Sequence, residues 1–399
     1  MSDRFDADSL PDTVPDALRS KEAMIEPFDW YATWRENGPI QYDADREVYD
    51  ILSYDLAKRV LQDDARFKRH SLSDEFGGLE SNSPHAYLNN ALMWSNDRQH
   101  SDAKNQLFEY FTPNQVRELQ NVITTVTSRE LDAALADGPE FDLSTEFAVP
   151  VSLKITMELL GVPRDDYEKL YEWIIEITKI KRSEHKQDAG SPPTHSREAV
   201  EYMRSLVESR TKRPQDDLIS ELATDTNLTQ EQIGSNALDL MVASTKTMSE
   251  SVTNAVYLFV KHDLLGYEDW RELATVFEEV LRYRSPIQAQ LRQVSEELRL
   301  DGTHLQPGDE VVVWFGAANH DPEQFDRPRE FRPDREPDHL AFGSGAHACI
   351  GAPLARFEGP IILSTFLRYV DGIEILDESV VPTTSPASLG FDRLPVSIR

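Results

Sequence analysis

Residues 342–351, FGSGAHACIG, hold Cys349, the one cysteine in a chain of 399 residues. Gly343, Gly345 and Gly351 lack a Cβ, so the backbone around the thiol is free to enter the left-handed region and to approach something bulky. The next stretch, IGAPLARFE, opens a helix, with Pro353 suited to its first turn. A cysteine just ahead of that helix faces the positive end of its peptide dipoles. The unpaired N–H groups there stabilise a thiolate and donate hydrogen bonds to its sulfur. A lone intracellular cysteine is most often a small buried apolar side chain. The crowding of glycine and alanine around Cys349 argues instead for a thiolate metal ligand.

Three metal or thiol chemistries compete for that thiolate. Zinc is a poor candidate, because His347 and Cys349 supply at most two ligands and no companion Cys or His pair stands at zinc-site spacing. A nucleophilic-cysteine hydrolase is weak, since no local signature assigns a histidine as its base. Haem iron needs only one thiolate from the protein.

Composition narrows the remaining classes. One cysteine forms no internal disulfide, and no amino-terminal stretch has the basic-then-apolar pattern of a signal peptide, so the cytoplasm is the expected compartment. The longest apolar runs, LYEWIIEITKI and IILSTFL, fall far short of the roughly 20 residues that span a bilayer. Formal net charge is −30, from 71 Asp+Glu against 41 Lys+Arg, which repels a nucleic-acid backbone. Arginine also outnumbers lysine more than two to one, and this acid-rich, lysine-poor balance points to a halophilic source. In molar salt the Debye length is roughly 3 Å, which screens the self-repulsion.

Along the chain, residues 1–26 are acidic and without sustained period, and a loosely ordered extension is expected there. Residues 27–399 carry no long linker or repeat and are expected to form a single domain. IQYDADREVYDIL predicts two short strands around an Asp-Ala-Asp turn. From about 54 to 285 the apolar spacing is mostly helical. Thr229 caps a proline-free helix that continues to 262 and has to cross the whole domain. After 285 the pattern becomes strand-like, with Asp-Gly and Pro-Gly turns, and SLGFDRLPVSIR predicts a terminal hairpin. The basic cluster Lys179, Lys181, Arg182 and Lys186 is read as a solvated face, followed by a loop at 187–195. The fold class is mainly α with small β-sheets.

FGSGAHACIGAPLAR resembles the haem-binding signature of the cytochrome P450 superfamily, with Phe342, Gly343, Gly345, Cys349 and Gly351 at the matching places. EEVLRYRSP is similar to the family's Glu-x-x-Arg motif through Glu279 and Arg282, which lie three apart on one helix face and pair. PFDWYATWRENGPIQYD, NDRQHSDAKNQLFEYFTP, ANHDPEQF and LPVSIR extend the resemblance from about residue 27 to 399. It implies the family's triangular, mainly α fold and haem b (iron protoporphyrin IX), with Cys349 as the iron ligand. Matching positions make His100, Lys104, Arg292 and His347 partners of the haem propionates, which require cations or donors when buried. The family usually has arginine where Lys104 stands, so a point charge replaces a bidentate contact there.

Two departures stand out. The third member of the Glu/Arg/Arg network is Glu330 in this chain, so Arg332 or Arg335 has to replace it. In MVASTKTMSE, Thr247 falls on the expected threonine, while Ser244 replaces a glycine and Lys246 replaces an acid. In relatives that acid and alcohol help to deliver protons. Glu250, one turn beyond Thr247, is an alternative proton source.

The resemblance implies a haem-thiolate monooxygenase that inserts one oxygen atom of dioxygen into a mainly apolar small molecule. Electrons come from outside, as no flavin or iron–sulfur motif is present, and a ferredoxin-type donor with its reductase is implied. A monomer is expected. Two alternatives remain: a peroxide-driven oxygenase of the same fold, and a non-catalytic haem sensor or ligand-binding protein. By resemblance the pocket is lined from 76–93, 170–195, 240–247, Ile287 to Leu291 and 388–391.

Overall fold

A computed structural model describes residues 14–69, 87–95, 97–183, 194–267 and 269–399. Its helices are α1 (Lys21–Ile25), α2 (Phe28–Arg35), α3 (Tyr54–Gln62), α4 (Asp97–Phe108), α5 (Pro113–Arg117), α6 (Gln120–Ala134) and α7 (Val149–Leu160). They continue with α8 (Tyr167–Ser183), α9 (Thr194–Lys212), α10 (Leu218–Asp225), α11 (Gln230–His262), α12 (Trp270–Tyr283), α13 (Phe315–Ala318) and α14 (Ala352–Leu367). The strands are short: β1 (Ile40–Asp43), β2 (Val48–Ile51), β3 (Phe67–Lys68), β4 (Glu140–Asp142), β5 (Ala289–Val294) and β6 (Leu298–Leu300). The rest are β7 (Thr303–Leu305), β8 (Glu310–Trp314), β9 (Ile373–Ile375), β10 (Val381–Pro382), β11 (Phe391–Arg393) and β12 (Pro395–Ile398). The architecture is mainly α with small sheets, as the sequence predicts.

The chain divides into two compact units, and it passes between them at residues 68/69, 122/123, 148/149 and 246/247. The first unit draws on Ile123–Ala148, Thr247–Arg399 and the residues up to Lys68. It contains a sheet in the order β1-β2-β8-β5-β3, in which β2 and β8 run parallel and the other pairs antiparallel. One face of that sheet buries Ile51, Val311 and Val313 against Leu56, Ala57, Val60 and Leu61 of α3. Those α3 positions recur at helical spacing, which is why the segment is a helix with one apolar side. An N–H left over at the start of α3 is satisfied from elsewhere, as Tyr54 N donates to Asp321 Oδ2 at 2.7 Å. Helix α12 packs along α14, burying Leu273, Val276, Phe277 and Val280.

Two expectations are corrected in this unit. Residues 14–26 are not a loose extension: Val14, Leu18 and Met24 are buried in a cluster with Phe28, Tyr31 and Trp314. Ser20 also caps α1 by accepting from Ala23 N at 3.1 Å. Three widely spaced apolar residues give no period to read, yet each finds a pocket in the core. The terminal hairpin does not form either. β11 pairs with β10, whereas β12 lies between β4 and β9 in a separate three-stranded sheet. Only the buried Leu394 separates β11 from β12, too little chain for a reversal, so the two strands enter different sheets.

The second unit comprises Arg69–Val122 and Val149–Lys246 and is helical in its described residues. α8 packs on α9 and α7, and α9 on α10. Arg210 and Asp217 form a buried ion pair at 2.5 Å, and Arg210 Nη2 also donates to the Gly161 carbonyl at 2.5 Å. The expected loop at 187–195 lies outside the described residues except for its last two positions, which open α9. Lys186 and the side chains of Lys179, Lys181 and Arg182 lie outside the description too.

Helix α11 runs through the boundary between the units and ends where the sequence predicts. Its start is a reciprocal capping box: Gln232 N donates to Thr229 Oγ1 at 3.2 Å, and Thr229 N donates to Gln232 Oε1 at 2.9 Å. Among the described residues no helix is long and apolar enough to cross a membrane.

Candidate functional site

Cys349 has an exposed side chain, unlike most free cysteines. Its position follows from the turns before it. Gly343 and Gly345 sit at φ of 69° and 74°, the left-handed region in which L side chains are strained. Gly343 N donates to Leu340 O at 2.8 Å, and Cys349 N to Phe342 O at 2.9 Å. The loop leans on the end of α3. A Cβ on Gly345 would collide with the Leu61 carbonyl oxygen and stand 2.8 Å from Gln62 Cα. Gln62 Nε2 also donates to Ser344 Oγ at 3.1 Å.

Gly351 works differently from its neighbours. Its φ is −81°, so it does not require glycine for its backbone; it is the cap residue of α14, with Pro353 inside the first turn. A Cβ there would touch the Cys349 sulfur at an ordinary 4.0 Å. Cys349 is thus an exposed thiol two residues ahead of the cap of α14, in a loop shaped by left-handed glycines. This arrangement fits a thiolate ligand to haem iron.

Phe342 is held by partners that the motif does not reveal. The Arg356 guanidinium lies 4.5 Å from its ring centroid, and the His339 ring centroid lies 5.8 Å away. Both belong to a cluster around Glu278, which accepts from Arg356 Nε at 2.8 Å and pairs with His339 Nε2 at 3.1 Å. Burial works to raise the Glu278 carboxyl. Hydrogen bonds and charge from His339 and Arg356 outweigh this and hold it below its usual value. The paired glutamates of EEVLRY were the available signal: one step along a helix turns the second carboxylate to another face.

That second carboxylate is Glu279, which has no exposed surface, like Arg282. They pair in fork geometry, Nε to Oε2 at 2.7 Å and Nη2 to Oε1 at 2.8 Å. The remaining Arg282 donors reach the carbonyls of Asn319, Pro328 and Glu330 at 2.8, 2.9 and 3.3 Å. Of the two candidate arginines, Arg335 brings its side chain in, with Nε 3.2 Å from Glu279 Oε1. Arg332 contributes only its backbone N–H to Glu279, at 3.0 Å, and its side chain turns to Asp334 at 3.4 Å. Glu330 faces outward and pairs with Arg327 at 2.8 Å.

In the first unit, Arg292 is buried on β5, with Nη1 donating to Leu291 O at 2.8 Å and Nη2 to Gln290 Oε1 at 3.0 Å. His347 is partly exposed, two residues before Cys349. Thr247 is partly buried on α11, and its carbonyl accepts from Ser251 Oγ at 2.7 Å. In the second unit, His100 is buried and Lys104 partly so, four residues apart on one face of α4. Lys246 is also partly buried. Ser244 is engaged sideways: its Oγ lies 2.8 Å from Thr156 Oγ1, which donates in turn to Ser152 O at 3.1 Å. Nothing in the sequence signals that cross-helix pair.

The Cytochrome P450 family model matches residues 272–393. Cytochrome P450 109 of Bacillus spizizenii is 31% identical, covering 96% of this chain and 94% of its own length. The crystal structure of P450BioI in complex with hexadec-9Z-enoic acid ligated acyl carrier protein superposes with a TM-score of 0.85 at 27% identity, over 95% of this chain and 100% of that one. CYP109E1 from Bacillus megaterium in complex with testosterone has a TM-score of 0.81 at 27% identity, with 95% and 100% coverage. Family members bind haem b. The chain belongs to the cytochrome P450 family and is a haem-thiolate monooxygenase.

Proposed function

We propose that Cys349 is the iron ligand of a monooxygenase that oxidises a mainly apolar small molecule with electrons from an external ferredoxin-type donor. The observation that carries this is the only thiol of the chain standing exposed at the head of α14, in a loop braced against α3. Bound haem supplies the activation of dioxygen, and the thiolate pushes electron density towards the iron. The protein's own residues shape and support that group. The Gly343 and Gly345 turns shape the loop that carries the sulfur, and the Glu278–Arg356–His339 cluster keeps Phe342, whose carbonyl accepts from Cys349 N, in place. Arg292 and His347 offer donors for the propionates; His100 and Lys104 take the same role on the strength of the resemblance.

An apolar substrate is supported by the pocket stretches named from the resemblance, in which Met, Leu, Ile and Val are mixed with Ser, Thr and Gln. It is supported also by the hexadec-9Z-enoic acid ligated acyl carrier protein and the testosterone that the two similar structures hold. The absorption spectrum of the reduced, carbon-monoxide-bound protein tests the ligand assignment. A red-shifted band is expected in the wild type and lost in Cys349→His; retention of that band in the variant sinks the assignment. Fatty acids and steroids are the first ligands to titrate, read by the shift of the haem Soret band.

A further inference from the structure

Glu250 lies on α11 one turn beyond Thr247 and is 3% exposed. Positions three apart on a helix share a face. Its Oε1 accepts from Thr383 Oγ1 at 3.2 Å, and the same Oγ1 lies 3.1 Å from Asp392 Oδ1. Thr383 is 2% exposed, whereas Asp392 is partly exposed. The turn that joins β10 to β11 is seated on the glutamate. A Cβ on Gly390 would stand 2.5 Å from Glu250 Cγ, so only glycine lets the chain come so close. Asn254, one turn further along α11, ties down the same turn by donating to Leu389 O at 2.8 Å.

A hydroxyl owns one proton and therefore donates to one carboxylate at a time. With two carboxyl oxygens within reach of Thr383 Oγ1, both contacts are hydrogen bonds only when one carboxyl carries a proton. The three side chains are then a donor–acceptor series along which a proton can pass. Lys246, by contrast, is a donor without an acceptor lone pair while it is charged, and cannot take up one proton as it gives up another.

We propose that Asp392, Thr383 and Glu250 form a proton relay for the monooxygenase reaction, leading from the partly exposed Asp392 to a buried carboxyl one turn from Thr247. In one transfer the Thr383 O–H bond breaks as its proton passes to Glu250 Oε1. A new O–H bond forms at Thr383 Oγ1 with the proton released by Asp392 Oδ1, and solvent water reprotonates Asp392. One proton moves inward and no electron moves. The inference rests on the haem-thiolate reading.

The test uses the haem-loaded protein and the variants Glu250→Gln, Glu250→Asp, Thr383→Val and Asp392→Asn. The first readout is the share of consumed reductant released as hydrogen peroxide, with its solvent isotope effect. The second is independent of turnover: the infrared carbonyl stretch of a protonated carboxylic acid, followed on transfer to heavy water. Glu250→Gln and Thr383→Val are expected to raise the peroxide share on the order of tenfold and to abolish or shift the infrared band, with Glu250→Asp restoring part of both. Asp392→Asn, at the outer end, is expected to change the isotope effect while leaving the thermal midpoint in place. An unchanged peroxide share and infrared spectrum in Glu250→Gln and Thr383→Val overturns the relay. Absence of the red-shifted carbon-monoxide band in the wild type overturns the haem-thiolate reading instead.

Discussion

Arg332 and Arg335 are three residues apart and both reach Glu279, but by different means. Arg335 inserts its guanidinium, at 11% side-chain exposure, into a cluster whose carboxylate is wholly buried. The Arg332 side chain stays 34% exposed among Asp326 and Asp334. Removing one partner of a buried charge group costs several kcal/mol, whereas exposed pairs contribute between roughly 0 and 1 kcal/mol. Arg335→Ala is therefore expected to destabilise the protein by about 2 kcal/mol, and Arg332→Ala by less than about 0.5 kcal/mol. Chemical denaturation of both variants checks this, and equal losses would contradict the assignment. At this scale the glycine turns around Cys349 and the Glu279–Arg282 pair were legible, because each depends on neighbours within a few residues. The choice between the two arginines depends on how 326–335 folds back over α12, which no local pattern encodes.

Helix α14 carries Glu358 at 4% exposure on a face otherwise filled by Phe357, Ile361 and Ile362. Burial alone pushes its carboxyl up to about 8. An unfolded glutamate titrates near about 4.3, so the folded chain holds this proton more tightly than the unfolded one. The resulting stability is fully present below about pH 4.3 and is lost as pH rises towards 8, at a limiting slope of about 1.4 kcal/mol per pH unit. Glu358→Gln is expected to remove that decline and to be the more stable protein at pH 8. Denaturant midpoints across this range decide it, and parallel curves for the two proteins would refute it. The long helix from Thr229 was readable because its cap and its lack of proline are local. The partition of β11 and β12 was not, since strand partners are chosen by distant segments.

The whole molecule bears a net charge of −30. We propose that it is adapted to high salt. Raising ionic strength from about 0.1 M to about 1 M shortens the Debye length from about 10 Å to about 3 Å and relieves self-repulsion of the compact state. The thermal midpoint is expected to climb across that range in potassium chloride, and a flat or falling midpoint would remove the proposal.

From the sequence alone came the helical class, the glycine turns ahead of α14, the Glu-x-x-Arg pair and the boundaries of α11, all of which rest on interactions between residues close in the chain. Tertiary structure alone settled the rest: the packing of residues 14–26 into the core, the use of Arg335, the sideways contact of Ser244, and the seating of Gly390 on Glu250. Each of these joins segments tens to hundreds of residues apart, where packing space and the search for hydrogen-bond partners, rather than local preference, select the contact.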